Sequence, residues 1–219
     1  KGRTTCSYFF PDGKRILYAS THLAGDACPT PPDRTHGYVW GLFAGYDIFT
    51  ASSDGTGVKR ITDAPGYDAE ASISTDGSRV LFTSDRDGDL ELYSMSPDGT
   101  DVTRLTHTPG YDGGGFYSDD GKWIVYRAAR PETPELLAEY RRLLSLHLIR
   151  PTKLEIHVMR ADGSDDRQVT SNGAANFAPF FFRGGHDRIV FCSNLADPKG
   201  RDFDLWAVNA DGTDLERIT

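Results

Sequence analysis

Leu90-Glu91-Leu92-Tyr93-Ser94-Met95-Ser96-Pro97-Asp98-Gly99-Thr100, leading into Thr103-Arg104-Leu105-Thr106, is one of four versions of the same stretch in this chain. Tyr46 to Thr62 writes it first, and Leu154 to Thr170 and Phe203 to Thr219 write it again with Ala-Asp-Gly at the turn. From Gly55 to Gly99 the step is 44 residues, from Gly99 to Gly163 it is 64, and from Gly163 to Gly212 it is 49. A base period of roughly 40–45 residues is the length of one four-stranded propeller blade, so the 64-residue step is a blade with an insertion.

Each unit holds an earlier turn as well: Pro11-Asp12-Gly13, Thr75-Asp76-Gly77, Asp119-Asp120-Gly121 and a looser Gly184-Gly185-His186-Asp187. An apolar run follows every one, from Arg15-Ile16-Leu17-Tyr18 to Arg188-Ile189-Val190-Phe191. Asp-Gly between alternating apolar runs signals a hairpin, because Gly supplies the positive φ of the turn without strain. Each unit therefore reads strand a, tight turn, strand b, variable loop, strand c, tight turn, strand d. The expectation is an all-β propeller of four-stranded antiparallel blades, spanning 1–219 as one domain or fragment. Its blades fall at about 1–62, 63–106, 107–170 and 171–219, and a helical insertion in the third at about 133–149. Four blades without an interlocking strand are expected to be part of a larger ring of about six.

Net charge −8 argues against nucleic acid and anionic membranes as partners. No run of 18 apolar residues is present, so no transmembrane helix is expected. None of the three cysteines forms a CxxC pair. Cys6 on strand a and Cys28 in the following loop are a candidate disulfide, with two free thiols as the alternative. Neither a GxSxG elbow nor an HExxH motif occurs, and the six histidines show no metal-ligand spacing.

Phe10 to Thr21 (FPDGKRILYAST) and Asp85 to Thr106 (DRDGDLELYSMSPDGTDVTRLT) resemble the WD-like propeller repeat of the TolB family. The resemblance covers the chain except residues 22–45 and 130–153. It implies a bacterial protein, periplasmic or secreted, that holds a protein or cell-envelope component as part of a larger assembly. Related repeats also serve as the non-catalytic propeller of hydrolases and peptidases, so an accessory domain with its catalytic part outside this chain is the alternative. With no catalytic constellation in the sequence, no enzyme activity of the chain itself is expected.

Propeller geometry puts the a–b and c–d turns on one face and the b–c loops and d–a connections on the other. Nearly all length variation lies on the second face, in b–c loops 21–45, 84–89, 129–153 and 193–202. Binding is expected there. In the first loop Tyr38, Trp40 and Phe43 are interface candidates, or anchors of their own loop. In the third, Thr133 is a candidate N-cap and Pro134 fits the first helical position. Leu136, Leu137, Tyr140, Leu143, Leu144 and Leu148 share helical spacing, and Pro151 stops the helix. That stripe either packs on the blade or forms a partner-binding lid. The d–a connections repeat Pro-Gly-Tyr-Asp at 65–68 and 109–112, drifting to residues 172–177 in the third. Tyr67, Asp68, Glu70, Tyr111, Asp112 and Asn176 are thus expected at the channel mouth. Asp68, Glu70 and Asp112 are candidate calcium ligands, with turn capping as the alternative reading; no other cofactor is expected.

Overall fold

In the computed structural model, which describes residues 2–197, 199 and 201–219, four antiparallel four-stranded sheets follow one another along the chain. Blade one is β1 (Thr4–Phe9), β2 (Arg15–Ser20), β4 (Asp47–Ser52) and β5 (Lys59–Arg60), with β3 (Trp40–Gly41) in its b–c loop. Blade two is β6 (Asp68–Ile73), β7 (Val80–Ser84), β8 (Glu91–Met95) and β9 (Thr103–Arg104). Blade three is β10 (Tyr111–Tyr117), β11 (Trp123–Ala129), β13 (Glu155–Arg160) and β14 (Arg167–Gln168). Its b–c insertion holds α1 (Pro134–Ser145) and β12 (Leu148–Ile149). Blade four is β15 (Asn176–Phe181), β16 (Arg188–Ser193), β17 (Asp204–Asn209) and β18 (Glu216–Arg217). Strand a of each blade packs on strand a of the next, β1 on β6, β6 on β10 and β10 on β15. The chain is an all-β propeller, with one α-helix among the described residues. Pro198 and Gly200, in the fourth b–c loop, lie outside the described residues.

The repeated letters have physical jobs. At the c–d turns the Asp carboxylate accepts the backbone N–H two residues on, as from Thr56 to Asp54 (2.9 Å) and Thr100 to Asp98 (3.0 Å). The Thr hydroxyl donates to the same oxygen, at 2.7 Å in both turns. Gly99 has φ +93° and lies against the Ile61 carbonyl, so a side chain there would strain the backbone and collide with the neighbouring blade.

The closing Arg-x-Thr builds a clasp. Thr62, Thr106, Thr170 and Thr219 each accept the backbone N–H of Ile48, Leu92, Ile156 and Leu205 in strand c, all at 2.9 Å. The hydroxyl also donates to the carboxylate that opens strand c: Thr106 to Glu91 at 2.5 Å, Thr170 to Glu155 at 2.6 Å and Thr62 to Asp47 at 3.4 Å. An arginine completes it in three blades: Arg60–Asp47 (2.9 Å), Arg104–Glu91 (2.6 Å) and Arg217–Asp204 (2.9 Å). In the third blade Gln168 stands in the arginine's place and donates to the Thr170 carbonyl instead.

Apolar columns join the blades. Leu81, Leu92 and Leu105 of blade two pack on Tyr117, Ile124, Tyr126 and Met159 of blade three. The matching column of blade three, including Val125, Ile156 and Val169, packs on Phe181, Ile189, Phe191 and Val208 of blade four. In blade four the same repeat positions stand open: Leu205 is 40% and Ile218 49% exposed, against 0% for Leu92 and 5% for Leu105.

The insertion differs from expectation at its end. α1 starts as read, with Thr133 accepting from the Leu136 N–H and Pro134 in the first turn. It stops at Ser145, not at Pro151, and His147 (φ +55°) turns the chain into β12. Leu148 is therefore a strand residue, because β12 pairs with β3 in register Leu148↔Gly41 and Ile149↔Trp40. Within the helix, Leu143 is buried while Tyr140 and Leu144 pack on the core below; Leu136 stays exposed.

Leu92→Ala is expected to cost about 2–5 kcal/mol in urea unfolding, the range for truncating a buried leucine. Leu205→Ala, at the same repeat position but half open, is expected to cost under about 1 kcal/mol. Equal losses would contradict the packing described.

Candidate functional site

Each innermost strand carries a β-bulge at the same place, where the register with strand b shifts. The residue at the bulge is left-handed in all four blades: Cys6 (φ 50°), Glu70 (φ 55°), Gly114 (φ 57°) and Ala178 (φ 48°). Non-glycine residues seldom adopt this conformation, and bulges re-aim a side chain. Here the bulge turns Glu70 toward blade three. Its Oε2 accepts from the Tyr111 hydroxyl (2.7 Å), from Arg127 Nη2 (3.1 Å) and from the Thr83 hydroxyl (3.4 Å). Arg127 Nε also donates to the Tyr111 oxygen at 3.0 Å, and the Tyr67 hydroxyl reaches Glu70 Oε1 at 3.5 Å.

Room for this network comes from Gly113 and Gly114: a Cβ on Gly114 would meet the Arg127 guanidinium carbon at 2.7 Å, and one on Gly113 would strike Tyr111 and Glu70. The guanidinium is ringed by Trp40 (5.4 Å), Phe177 (5.6 Å) and Tyr111 (5.7 Å). Arg127 and Glu70 are 12% and 10% exposed, so the pair sits in low dielectric with each charge answered. Burial lowers the charged form of Arg127, but Tyr111 and Glu70 outweigh it and hold its pKa above the usual arginine value. Burial and the Glu70 charge push the Cys6 thiol up, so it stays a protonated thiol at neutral pH.

The expected channel-mouth residues divide. Tyr67, Glu70 and Tyr111 meet in this network. Asp68, Asp112 and Asn176 instead open strand a at the blade corners and point into the joints. Asp68 pairs with Arg86 (3.0 Å), and Asp112 pairs with Arg130. Asn176 Nδ2 donates to the Leu154 carbonyl (2.7 Å) and to Asn172 Oδ1 (3.0 Å). Burial raises the pKa of Asp68, against bonds from Ser84 and Arg86, and raises Asp112 well above the carboxylate range against Arg130. The backbone N–H of Asp68 and Asp112 bonds to the Tyr46 and Leu90 carbonyls (3.0 and 2.9 Å), tying each strand a to the blade before it.

Asp68, Glu70 and Asp112 consequently do not converge as calcium ligands. Each is held by its own arginine, and a carboxylate committed to a guanidinium is not offered to a hard cation. No group of three His, Cys, Asp or Glu side chains that could hold a metal occurs among the described residues. The candidate disulfide is also absent: Cys6 and Cys28 are free, the first facing Thr5 (3.4 Å) and the second exposed.

The two long b–c loops form one cap. Through β3 and β12, and the Leu42 N–H bonded to the His147 carbonyl (2.7 Å), the loop of blade one is stitched to the insertion of blade three above blade two. Tyr140 anchors the helix from below, donating to Asp89 and to the Gly110 carbonyl (2.9 Å). Under the first loop lies a cavity of about 510 Å³. Trp40, Phe43, Tyr46 and Tyr67 wall it, with Arg3 and Thr5 at its edge. Tyr38 stands outside, 63% exposed, accepting the Trp40 indole N–H at 3.1 Å. Arg127, Arg3 and Tyr46 were not singled out from the sequence. For Arg127 the signal was a charged residue ending an apolar strand opposite three consecutive glycines, which leave space for something large.

Burial pushes the Tyr67 and Tyr111 phenols well above the usual value; Glu70 reinforces both and Arg127 opposes both. A raised folded-state pKa contributes stability that is whole below the unfolded value of about 10 and is lost as pH rises beyond it, because only the unfolded chain sheds the proton. Tyrosinate absorbance assigned to these two, by difference against Tyr67→Phe and Tyr111→Phe, is expected only together with loss of the near-UV circular dichroism. Ionisation of either while that signal persists would contradict their burial.

Residues 44–140 match the family model described as the TolB beta propeller domain. Among solved structures, a TolB protein of Agrobacterium tumefaciens superposes with TM-score 0.62 at 23% identity, covering 98% of this chain and 80% of that one. TolB of Acinetobacter baumannii gives TM-score 0.60 at 19% identity over 96% of this chain and 52% of its own. A puromycin hydrolase gives TM-score 0.63 at 12% identity over 98% of this chain and 28% of its own. The chain thus spans about half the length of the Acinetobacter protein and less than a third of the hydrolase. Identities this low speak to fold alone: the chain has a β-propeller fold similar to that of TolB, and its residues 44–140 match the TolB propeller repeat.

Proposed function

We propose that the chain is a non-catalytic binding module of the bacterial cell envelope, periplasmic or secreted, that holds a protein or envelope component on the face carrying the b–c and d–a loops. One observation carries the reading. Two loops from non-adjacent blades are stitched into a single cap, and large apolar side chains stand exposed on it: Leu23 (60%) and Tyr38 (63%) on the first loop, Leu136 (51%) and Leu146 (48%) on the insertion. Loops held by a rigid scaffold and bearing exposed aromatic and aliphatic groups suit protein recognition. No helix of the described residues is long and apolar enough to cross a membrane. The uncovered column at Leu205 and Ile218 fits a further blade, which supports a larger ring of about six.

A second reading is supported by the hydrolase match: the chain serves as the accessory propeller of a larger secreted hydrolase or peptidase. The two readings divide on the parent polypeptide, which in the second continues into a catalytic domain.

A photo-crosslinking amino acid at Tyr38 is expected to trap one discrete envelope partner, and the same group at Asp98 on the opposite face none. Equal labelling from both positions, or none from either, would overturn the proposed binding face.

A further inference from the structure

We propose that the cavity under the first long loop is a binding site for a small aromatic carboxylate. The site goes beyond the protein-holding role and does not depend on it. Its volume of about 510 Å³ lies within the roughly 300–1,000 Å³ of small-molecule pockets.

Charge selects an anion. The chain carries 32 acidic residues and a net charge of −8, yet among the described residues no carboxylate lines this cavity. The charged group at its edge is Arg3. Arg60, Arg86 and Arg127 each hold a carboxylate, whereas Arg3 pairs with none among the described residues. Its main chain is fixed by reciprocal bonds with Thr21, N–H to Thr21 Oγ1 and Thr21 N–H to the Arg3 carbonyl, both 2.9 Å. The guanidinium rests over the Phe43 ring at 4.7 Å, which orders it while leaving its planar donors free for a carboxylate. Thr5 lies beside it at the same edge.

Shape selects a flat apolar body. Tyr46 meets Tyr67 edge-on at 5.8 Å (83°), and Phe43 lies 6.2 Å from Tyr46. The walls are braced from behind. Trp40 packs on Arg127 (5.4 Å) and Phe177 (5.5 Å), and Tyr67 is tied through its hydroxyl to Glu70. An aromatic ring entering between these walls finds ring faces and edges already placed, so little ordering cost falls on binding.

The test uses the chain with 3-phenylpropionate as the probe and its uncharged amide as the comparison, read by isothermal titration. The acid is expected to bind saturably at millimolar concentration or below, and at least about tenfold more tightly than the amide, the ratio expected for one charge-assisted contact. Arg3→Met should remove that preference with the melting temperature unchanged, and Arg3→Lys should keep part of it. Absence of saturable binding by the acid, equal affinity for acid and amide, or full affinity in Arg3→Met would each overturn the proposal.

Discussion

One hydroxyl per blade holds the outermost strand to its sheet. Strands β5, β9, β14 and β18 are two residues long, so ladder bonds alone give them little grip. Thr62, Thr106, Thr170 and Thr219 extend each pairing by accepting one more N–H from strand c. In the first three blades the same hydroxyl donates to a carboxylate, buried at Asp47 and Glu91 and half-buried at Glu155, that would otherwise lose hydration without full compensation. Donor and acceptor capacity are both used, in a place where leaving either unused is expensive.

The clasp faces the end of the molecule that carries the b–c and d–a loops. Strand c begins there and strand d ends there, so the d–a connection leaves from a fixed point and delivers strand a of the next blade in register. The bonds from Asp68 and Asp112 N–H to the preceding blade complete that joint. With strand a fixed, its bulge turns Glu70 toward Arg127, and the network of Tyr111, Tyr67 and Thr83 closes around the pair. The cap then rests on Arg127 through Trp40, beside Phe177 of β15. Rim, centre and cap are therefore one mechanical unit.

Local chemistry was legible in the sequence and distant pairing was not. Asp-Gly turns, alternating strands and the Thr133 cap each act within a few residues, and the blade period is the spacing at which the turns and strands recur. The Arg-x-Thr ending was visible as a repeat, but its clasp joins residues 14 apart through side chains that no periodicity describes. Asp68 and Asp112 read as mouth residues because strand a is innermost; their arginines, Arg86 and Arg130, lie 18 positions away and draw them into the joint. Of the candidate site, Tyr67, Glu70, Tyr111, Trp40 and Phe43 were named from the sequence. What joins them, Arg127 and the pairing of Trp40 with Ile149, crosses blades. Leu148 was read as helix for the same reason: its strand partner is more than a hundred residues earlier.

Replacing the hydroxyl by a methyl group of the same shape tests the clasp most directly. In Thr106→Val the Leu92 N–H and the buried Glu91 carboxylate both lose a partner, while Thr106→Ser keeps the oxygen. Urea unfolding is predicted to show a loss of about 1–3 kcal/mol for valine, with the serine variant retaining most of the wild-type stability. A valine variant as stable as the wild type would show that the hydroxyl is not what holds the blade closed.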